Sequence, residues 1–184
     1  LEYHRQFSHS LFFIPFGSLI VSLVVFPFVR KTMSLKMVYT ASLLGYATHG
    51  LLDACTSYGT QLFWPFSNER VTWNNISIVD PLFTIPIVML VASAIKTRMR
   101  MFSFFAIGWI AFYLSLGFIQ YERALSTAMN LAYSRGHNAD RLTLKPSFGN
   151  LVLWKSIYQH EDVFYVDAIR TFRSSTWCSG ESIR

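Results

Sequence analysis

The chain has 184 residues, of which 52% are hydrophobic and 14% are charged. Soluble domains carry about 25% charged residues on average, so the composition favours a membrane protein over an ordinary soluble domain. The net charge is +6, but most basic residues fall between apolar runs, where membrane topology places them. We therefore do not expect a nucleic-acid partner. Charge density rises after residue 120, which predicts a membrane domain over 1–119, a small polar domain over 120–172 and an irregular tail over 173–184.

Four apolar runs predict about four transmembrane helices. A helix needs about 20 apolar residues to cross the hydrocarbon core of a bilayer. The third run is short, and we expect it to extend or to tilt. The runs are residues 11–29, 36–54, 82–95 and 101–119. The predicted fold class is thus an all-α membrane region followed by a small strand-containing, α+β extracytoplasmic domain.

The connectors predict the orientation of these helices. Basic residues lie between the first and second runs and between the third and fourth runs. By the positive-inside rule those two connectors are cytoplasmic. The connector 55–81, the segment 1–10 and everything after residue 120 are then extracytoplasmic. The basic residues are Arg30, Lys31, Lys36, Lys96, Arg98 and Arg100.

The polar region begins with helical periodicity and continues with strand patterns. Residues 120–136 predict an amphipathic helix that extends the fourth run and ends at Gly136. Segments rich in β-branched and aromatic residues then predict three short strands. These segments are residues 142–146, 150–158 and 162–172.

Under this topology, five side chains of metal-ligand type come to the outer helix ends: His4, His9, His49, Asp53 and Asp80. His49 and Asp53 are four residues apart, which places both on one face of a helix. Ionisable residues in membrane segments are costly, and this favours a functional role. The alternatives are a hydrogen bond between His49 and Asp53 at a helix end, and interfacial positions for His4 and His9.

Asp80 and Arg5 each have two interpretations. Asp80 precedes a proline, and Asp followed by Pro is a typical helix start. It is also a candidate proton acceptor. The planar guanidinium of Arg5 suits a phosphate or a carboxylate, and it also suits a lipid headgroup.

Several segments, taken in order, resemble a known family. They are HRQFSHS at 4–10, HGLLDACTSYGTQLFWPFS at 49–67, ISIVDPLF at 76–83 and KPSFGNLVLWKSIY at 145–158. Together they resemble the LexA-regulated, inner-membrane-associated metal-dependent hydrolases, over most of residues 3–172. The family pattern falls on His4, Arg5, Ser8, His9, Ser10, His49, Asp53, Thr56, Gly59, Pro65, Phe66, Val79, Asp80 and Pro81.

The resemblance implies a hydrolase in the bacterial inner membrane that acts on a phosphoester or another lipid-like substrate. It implies zinc, or alternatively manganese, bound by His9, His49 and Asp53, with His4 as a further ligand. Asp80 and Arg5 would act in catalysis. Family members also carry an upstream Pro-Asp-x-Asp motif. This chain begins after that position, so a fragment would hold an incomplete site.

Two other functions stay open at this point. The His/Asp cluster could be structural or regulatory in a membrane protein without catalytic activity. A solute carrier is also conceivable, but carriers place polar groups near the bilayer midplane. The sequence identifies no protein partner.

Overall fold

The computed structural model describes residues 7–183. The chain divides into two compact units, Leu1–Trp73 and Asn74–Arg184. The sequence predicts a boundary at residue 119, whereas this division falls inside the connector between the second and third apolar runs.

The first unit is a helix pair preceded by a short turn. Phe7–His9 form a single 3-10 turn, α1 spans Ile14–Val29 and α2 spans Leu35–Ala54. Ser34 caps α2, since its hydroxyl accepts a hydrogen bond from the amide of Met37 at 3.3 Å. α1 packs against α2, and the 3-10 turn packs against both helices.

The segment after α2 folds back on the end of that helix. The backbones of Thr60 and Val71 exchange two hydrogen bonds of 3.0 and 2.9 Å, which close residues 61–70 into a loop. The amide of Trp73 then donates to the carbonyl of Ala54 at 2.8 Å. These bonds fix the C-terminal end of α2, where His49 and Asp53 lie.

The second unit combines a helix pair with a sheet. α3 spans Pro81–Thr97 and α4 spans Arg100–Ser134. The sheet is antiparallel in the order β1-β2-β3-β4. Its core is formed by Ala124 and Ala128 of α4 against buried side chains of three strands, Leu144, Trp154 and Ile169. The strands are β1 Asp140–Pro146, β2 Leu153–His160, β3 Val163–Arg170 and β4 Thr176–Ile183.

α4 is unusually long because the fourth apolar run, 101–119, and the amphipathic segment that follows it form one continuous helix. Its 35 residues correspond to about 52 Å at 1.5 Å per residue. The helix ends in a Schellman motif, in which the amide of His137 donates to the carbonyl of Ala132 and that of Gly136 to Tyr133, at 3.0 and 2.9 Å. Gly136 takes φ +72°, a conformation that glycine adopts without steric cost. The predicted extension of the fourth run to Gly136 is confirmed.

The prediction of a four-span, all-α membrane region is wrong. Among the described residues, only α4 is long and apolar enough to cross a membrane. α1 and α3 have 16 and 17 residues, about 24 and 26 Å, which falls short of a core of about 30 Å. α2 has 20 residues, but its polar groups lower its hydropathy. The predicted extracytoplasmic positions of 1–10 and 55–81 depended on a count of four crossings. Because that count is wrong, it no longer supports them.

α4 is not the buried core helix of a soluble protein. Only 17% of its most apolar window is buried, and Phe104, Ile107 and Phe112 are more than half exposed. A lipid environment would account for such a surface, because soluble monomers rarely expose large contiguous apolar patches.

The strand predictions are confirmed for β1, β2 and β3. The structure adds β4 in a segment for which the sequence predicts an irregular tail. β4 contains Gly180, which disfavours strands, and it pairs with β3 along its length. Gly180 is required there, since a Cβ would collide with the carbonyl oxygen of Val166.

Candidate metal centre

Three of the predicted ligands come together in the first unit. One ligand atom each of His9, His49 and Asp53 lies within 4.8 Å of the other two. The ring centroids of His9 and His49 are 5.0 Å apart. His9 is buried, Asp53 is half-buried and His49 is exposed, so the cluster opens to the surroundings at His49.

His9 reaches α2 because the 3-10 turn lies directly on that helix. The hydroxyl of Ser10 donates to the carbonyl of Phe7 at 2.9 Å and accepts from the amide of Phe13 at 3.2 Å, which closes the turn. A Cβ at Gly50 would lie 3.1 Å from the carbonyl oxygen of His9, which is closer than most real Cβ contacts. Glycine at position 50 therefore lets the backbone of His9 approach the helix.

The spacing of the ligand atoms fits a small divalent ion. His9 Nε2 and Asp53 Oδ2 are 3.3 Å apart. Zinc binds nitrogen and oxygen at about 2.0–2.2 Å in tetrahedral geometry, which places two ligand atoms about 3.3 Å apart. His49 is exposed and can adjust by a side-chain rotation. Two imidazoles and a carboxylate are a donor set that zinc accepts, and a site richer in oxygen would suit manganese.

Ser8 orients the ring of His9. Its hydroxyl lies 2.8 Å from His9 Nδ1. A hydroxyl can donate or accept, so the contact is compatible with both tautomers of His9. When Nδ1 carries the proton, it donates a hydrogen bond to the hydroxyl of Ser8, and Nε2 presents its lone pair towards Asp53, as a metal ligand requires.

Asp80 belongs to the second unit, where it begins α3. Its Oδ1 accepts from the amide of Phe83 at 3.2 Å, and its Oδ2 accepts from the hydroxyl of Tyr113 at 2.7 Å. The expected helix cap is therefore present, and the carboxylate is buried. The catalytic role of Asp80 stays a prediction.

His4 and Arg5 lie outside the described residues, so their predicted roles as a ligand and as a substrate-binding residue stay predictions. His9, His49 and Asp53, which the sequence predicts to lie together, are neighbours in the structure, and their role as metal ligands stays a prediction. The supporting contacts of Ser8 and Gly50 are not predicted from the sequence. The small residue next to His49 and the hydroxyl next to His9 are the only signals in the sequence, and neither is specific.

The histidines of the polar region form a second cluster. The rings of His137 and His160 stack with centroids 4.3 Å apart, and His137 Nδ1 lies 3.0 Å from the hydroxyl of Tyr158. Beside them, the guanidinium of Arg135 makes two hydrogen bonds to the carboxylate of Asp167, at 2.7 and 2.9 Å. The spacing of these residues in the sequence does not predict that they lie together, because the end of α4 and the strands meet only in the folded unit.

Comparisons with known proteins identify relatives of the first two thirds of the chain. A family model described as YdjM inner membrane protein matches residues 1–124. The uncharacterised protein YfhP of Bacillus subtilis (strain 168) is 32% identical over 82 residues, which is 45% of this chain and 25% of that protein. The match thus spans about a quarter of the length of that relative. No solved structure matches the chain significantly.

Proposed function

Because the chain belongs to the YdjM inner membrane protein family, we propose that it is a membrane-bound, metal-dependent hydrolase with its ion between His9, His49 and Asp53. This is the LexA-regulated inner-membrane family that the sequence motifs resemble. The observation that carries the metal site is the convergence, within 4.8 Å, of the imidazole of His9 from the 3-10 turn with the imidazole of His49 and the carboxylate of Asp53 from α2.

Three protein ligands leave a coordination position open, as in catalytic zinc sites. A divalent ion held there would activate water and polarise a phosphoryl or carbonyl oxygen. His9 would supply Nε2, with its ring fixed through Ser8, and Asp53 would supply a carboxylate oxygen. The exposed His49 lies where a substrate would enter.

The substrate class that we propose is a phosphoester or another lipid-like ester at the membrane surface. Membership of an inner membrane family supports this proposal, because it associates the protein with membrane lipids.

We further propose that the sheet lies outside the cytoplasm. Lys96, Arg98 and Arg100 cluster immediately before the apolar run of α4, and such clusters favour the cytoplasmic side. One crossing by α4 then carries the sheet to the opposite face.

A structural role of the cluster is the second candidate, and one observation favours it. His9 Nε2 and Asp53 Oδ2 are already 3.3 Å apart, within the range of an ion pair. This contact alone would fasten the 3-10 turn to α2 when the imidazole is protonated.

Elemental analysis of the detergent-purified chain tests the metal site. We expect one equivalent of zinc or manganese, and less than a tenth of that in His49→Ala and in Asp53→Ala, because each change removes one of three ligands. His137→Ala, in the second unit, is the control and should retain the metal.

A panel of phosphomonoesters, phosphodiesters and lipid esters then tests the chemistry. Hydrolysis that is lost in His49→Ala but retained in His137→Ala would support the hydrolase. Stoichiometric metal without turnover would favour the structural role. If all variants fold and none binds metal after supplementation with either ion, the proposed centre is wrong.

A further inference from the structure

Two loops of the sheet each carry an exposed phenylalanine. The loop 147–152 joins β1 to β2, and the loop 171–175 joins β3 to β4. Phe148 is 70% exposed and Phe172 is 55% exposed. In an antiparallel meander these two loops lie at the same end of the sheet. Hydrogen bonds also tie the loops together, since the amide and the hydroxyl of Thr171 both donate to the carbonyl of Val152, at 2.8 and 3.2 Å.

The same end of the sheet faces the region where α3 begins and where the apolar run of α4 ends. The amide of Gly149 donates to the hydroxyl of Ser77 at 3.4 Å, and a Cβ on Gly149 would lie 3.3 Å from Pro81, the first residue of α3. The guanidinium of Arg123 in α4 donates to the carbonyl of Arg173 at 3.0 Å. Both loops are therefore anchored to the helices and do not project freely from the sheet.

These anchor points lie where α4 changes from apolar to polar. The start of α3 lies beside Tyr113, whose hydroxyl donates to Asp80 at 2.7 Å. The apolar run of α4 continues past that level to Ile119, and polar residues follow from Gln120. A membrane crossed by this run would thus have its outer surface between Tyr113 and Arg123, at the height of the two loops.

Other exposed apolar side chains lie near the same level of α3 and α4. Two of them, Ile78 and Val79, precede α3, and two more, Phe118 and Ile119, end the apolar run; each is about half exposed. Arg173 lies over the ring of Phe172 with its guanidinium carbon 5.8 Å from the centroid. An aromatic ring beside a cation suits the boundary between acyl chains and phosphate headgroups.

We propose that the end of the sheet that carries Phe148 and Phe172 docks on the bilayer, with both rings in the acyl-chain region and Arg173 among the phosphates. The sheet is then held against the membrane surface and does not float on the end of α4. This inference rests on α4 as a membrane span and is independent of the metal chemistry.

Nitroxide labels in the full chain, reconstituted in bilayers, test the docking. Cys178→Ser removes the exposed cysteine, and the remaining Cys55 is buried, so this parent gives the background labelling. Labels are placed by Phe148→Cys and Phe172→Cys. Asp162→Cys is the matched control, since Asp162 is exposed in the turn between β2 and β3, at the other end of the sheet.

The measurement is the ratio of two accessibilities of each label. One is its accessibility to oxygen, which partitions into lipid, and the other is its accessibility to a water-soluble nickel complex. We expect that ratio to be severalfold higher at positions 148 and 172 than at position 162. Equal ratios at all three positions, with high nickel access, would overturn the proposal. Dipolar broadening at position 148 that persists in detergent would also overturn it, because it would show that a second copy of the chain covers the loops.

Discussion

The position of the His9 ring depends on two neighbouring residues that are not candidate ligands themselves. Ser8 fixes the ring through Nδ1, and Gly50 lets the backbone of His9 approach α2. Groups that hold a ligand through its second nitrogen commonly affect metal affinity by about 10- to 100-fold. The candidate site is therefore more sensitive to substitution than its three ligands alone suggest.

The change Ser8→Ala should weaken zinc binding by about 10- to 100-fold, because His9 Nδ1 loses its partner and the ring is free to rotate. Ser8→Thr keeps the hydroxyl and should restore most of the affinity. Competition with a chromophoric chelator measures both constants.

Ser18→Ala serves as the control for this prediction, since Ser18 is buried in α1 and its hydroxyl donates to the carbonyl of Ile14 at 2.6 Å. Equal affinity in the parent and in Ser8→Ala would show that Ser8 does not orient His9.

Among the elements, α4 and the sheet are joined by polar contacts at the C-terminal end of the helix, in addition to their apolar core. The carboxylate of Asp167 raises the pKa of Arg135 through two hydrogen bonds, so the guanidinium stays charged. Partial burial lowers the pKa of His137, the neighbouring His160 and Arg135 lower it further, and Glu161 opposes them. Protonation of His137 is thus less favourable in the folded chain than in a free imidazole.

A lowered pKa makes the stability of this junction depend on pH. The unfolded chain takes up a proton at His137 near pH 6.5, whereas the folded chain does so only at lower pH. The contribution of neutral His137 to the free energy of unfolding is fully present above about pH 6.5. It is lost as the pH falls through the pKa of His137 in the folded chain. The groups that face His137 are His160, Arg135, Glu161, Tyr158 and Tyr165.

We expect hydrogen-exchange protection of β2 and β3 to fall between pH 7 and pH 5 after correction for the intrinsic exchange rate. His137→Gln should flatten that dependence, whereas His49→Gln, a change in the first unit, should leave it as in the parent. An identical pH profile for the parent and His137→Gln would contradict this assignment.

For the molecule as a whole, α4 joins the candidate membrane span to the sheet. Its apolar run 101–119 covers about 28 Å, and the proposed direction of that run follows from the cations before it. The remaining 15 residues, 120–134, present Ala124 and Ala128 to the sheet. One helix thus carries both the candidate span and the contacts that hold the sheet.

Ile107→Arg places a charge within the apolar run and should oppose insertion by about 2.5–3.5 kcal/mol. Alkaline phosphatase fused after residue 183 is active only outside the cytoplasm. We expect activity in the parent and a loss of most of it in Ile107→Arg.

Met129→Arg is the matched control, because Met129 is exposed to a similar extent on the same helix but beyond the apolar run. It should keep the phosphatase activity of the parent. Activity in both variants would show that α4 is not the segment that crosses the membrane, and activity in neither variant nor the parent would refute its proposed direction.

The positions of the helices and of β1–β3 follow from the sequence, because apolar periodicity and β-branched clusters are local signals. The shared helix face of His49 and Asp53 follows from their spacing, whereas the role of His9, His49 and Asp53 as metal ligands stays a prediction. The number of long apolar spans was decided by helix lengths, which depend on where caps and loops end each helix. β4, the stacked His137 and His160, and the approach of His9 to Gly50 were decided only by the tertiary structure, because their partners are distant in sequence.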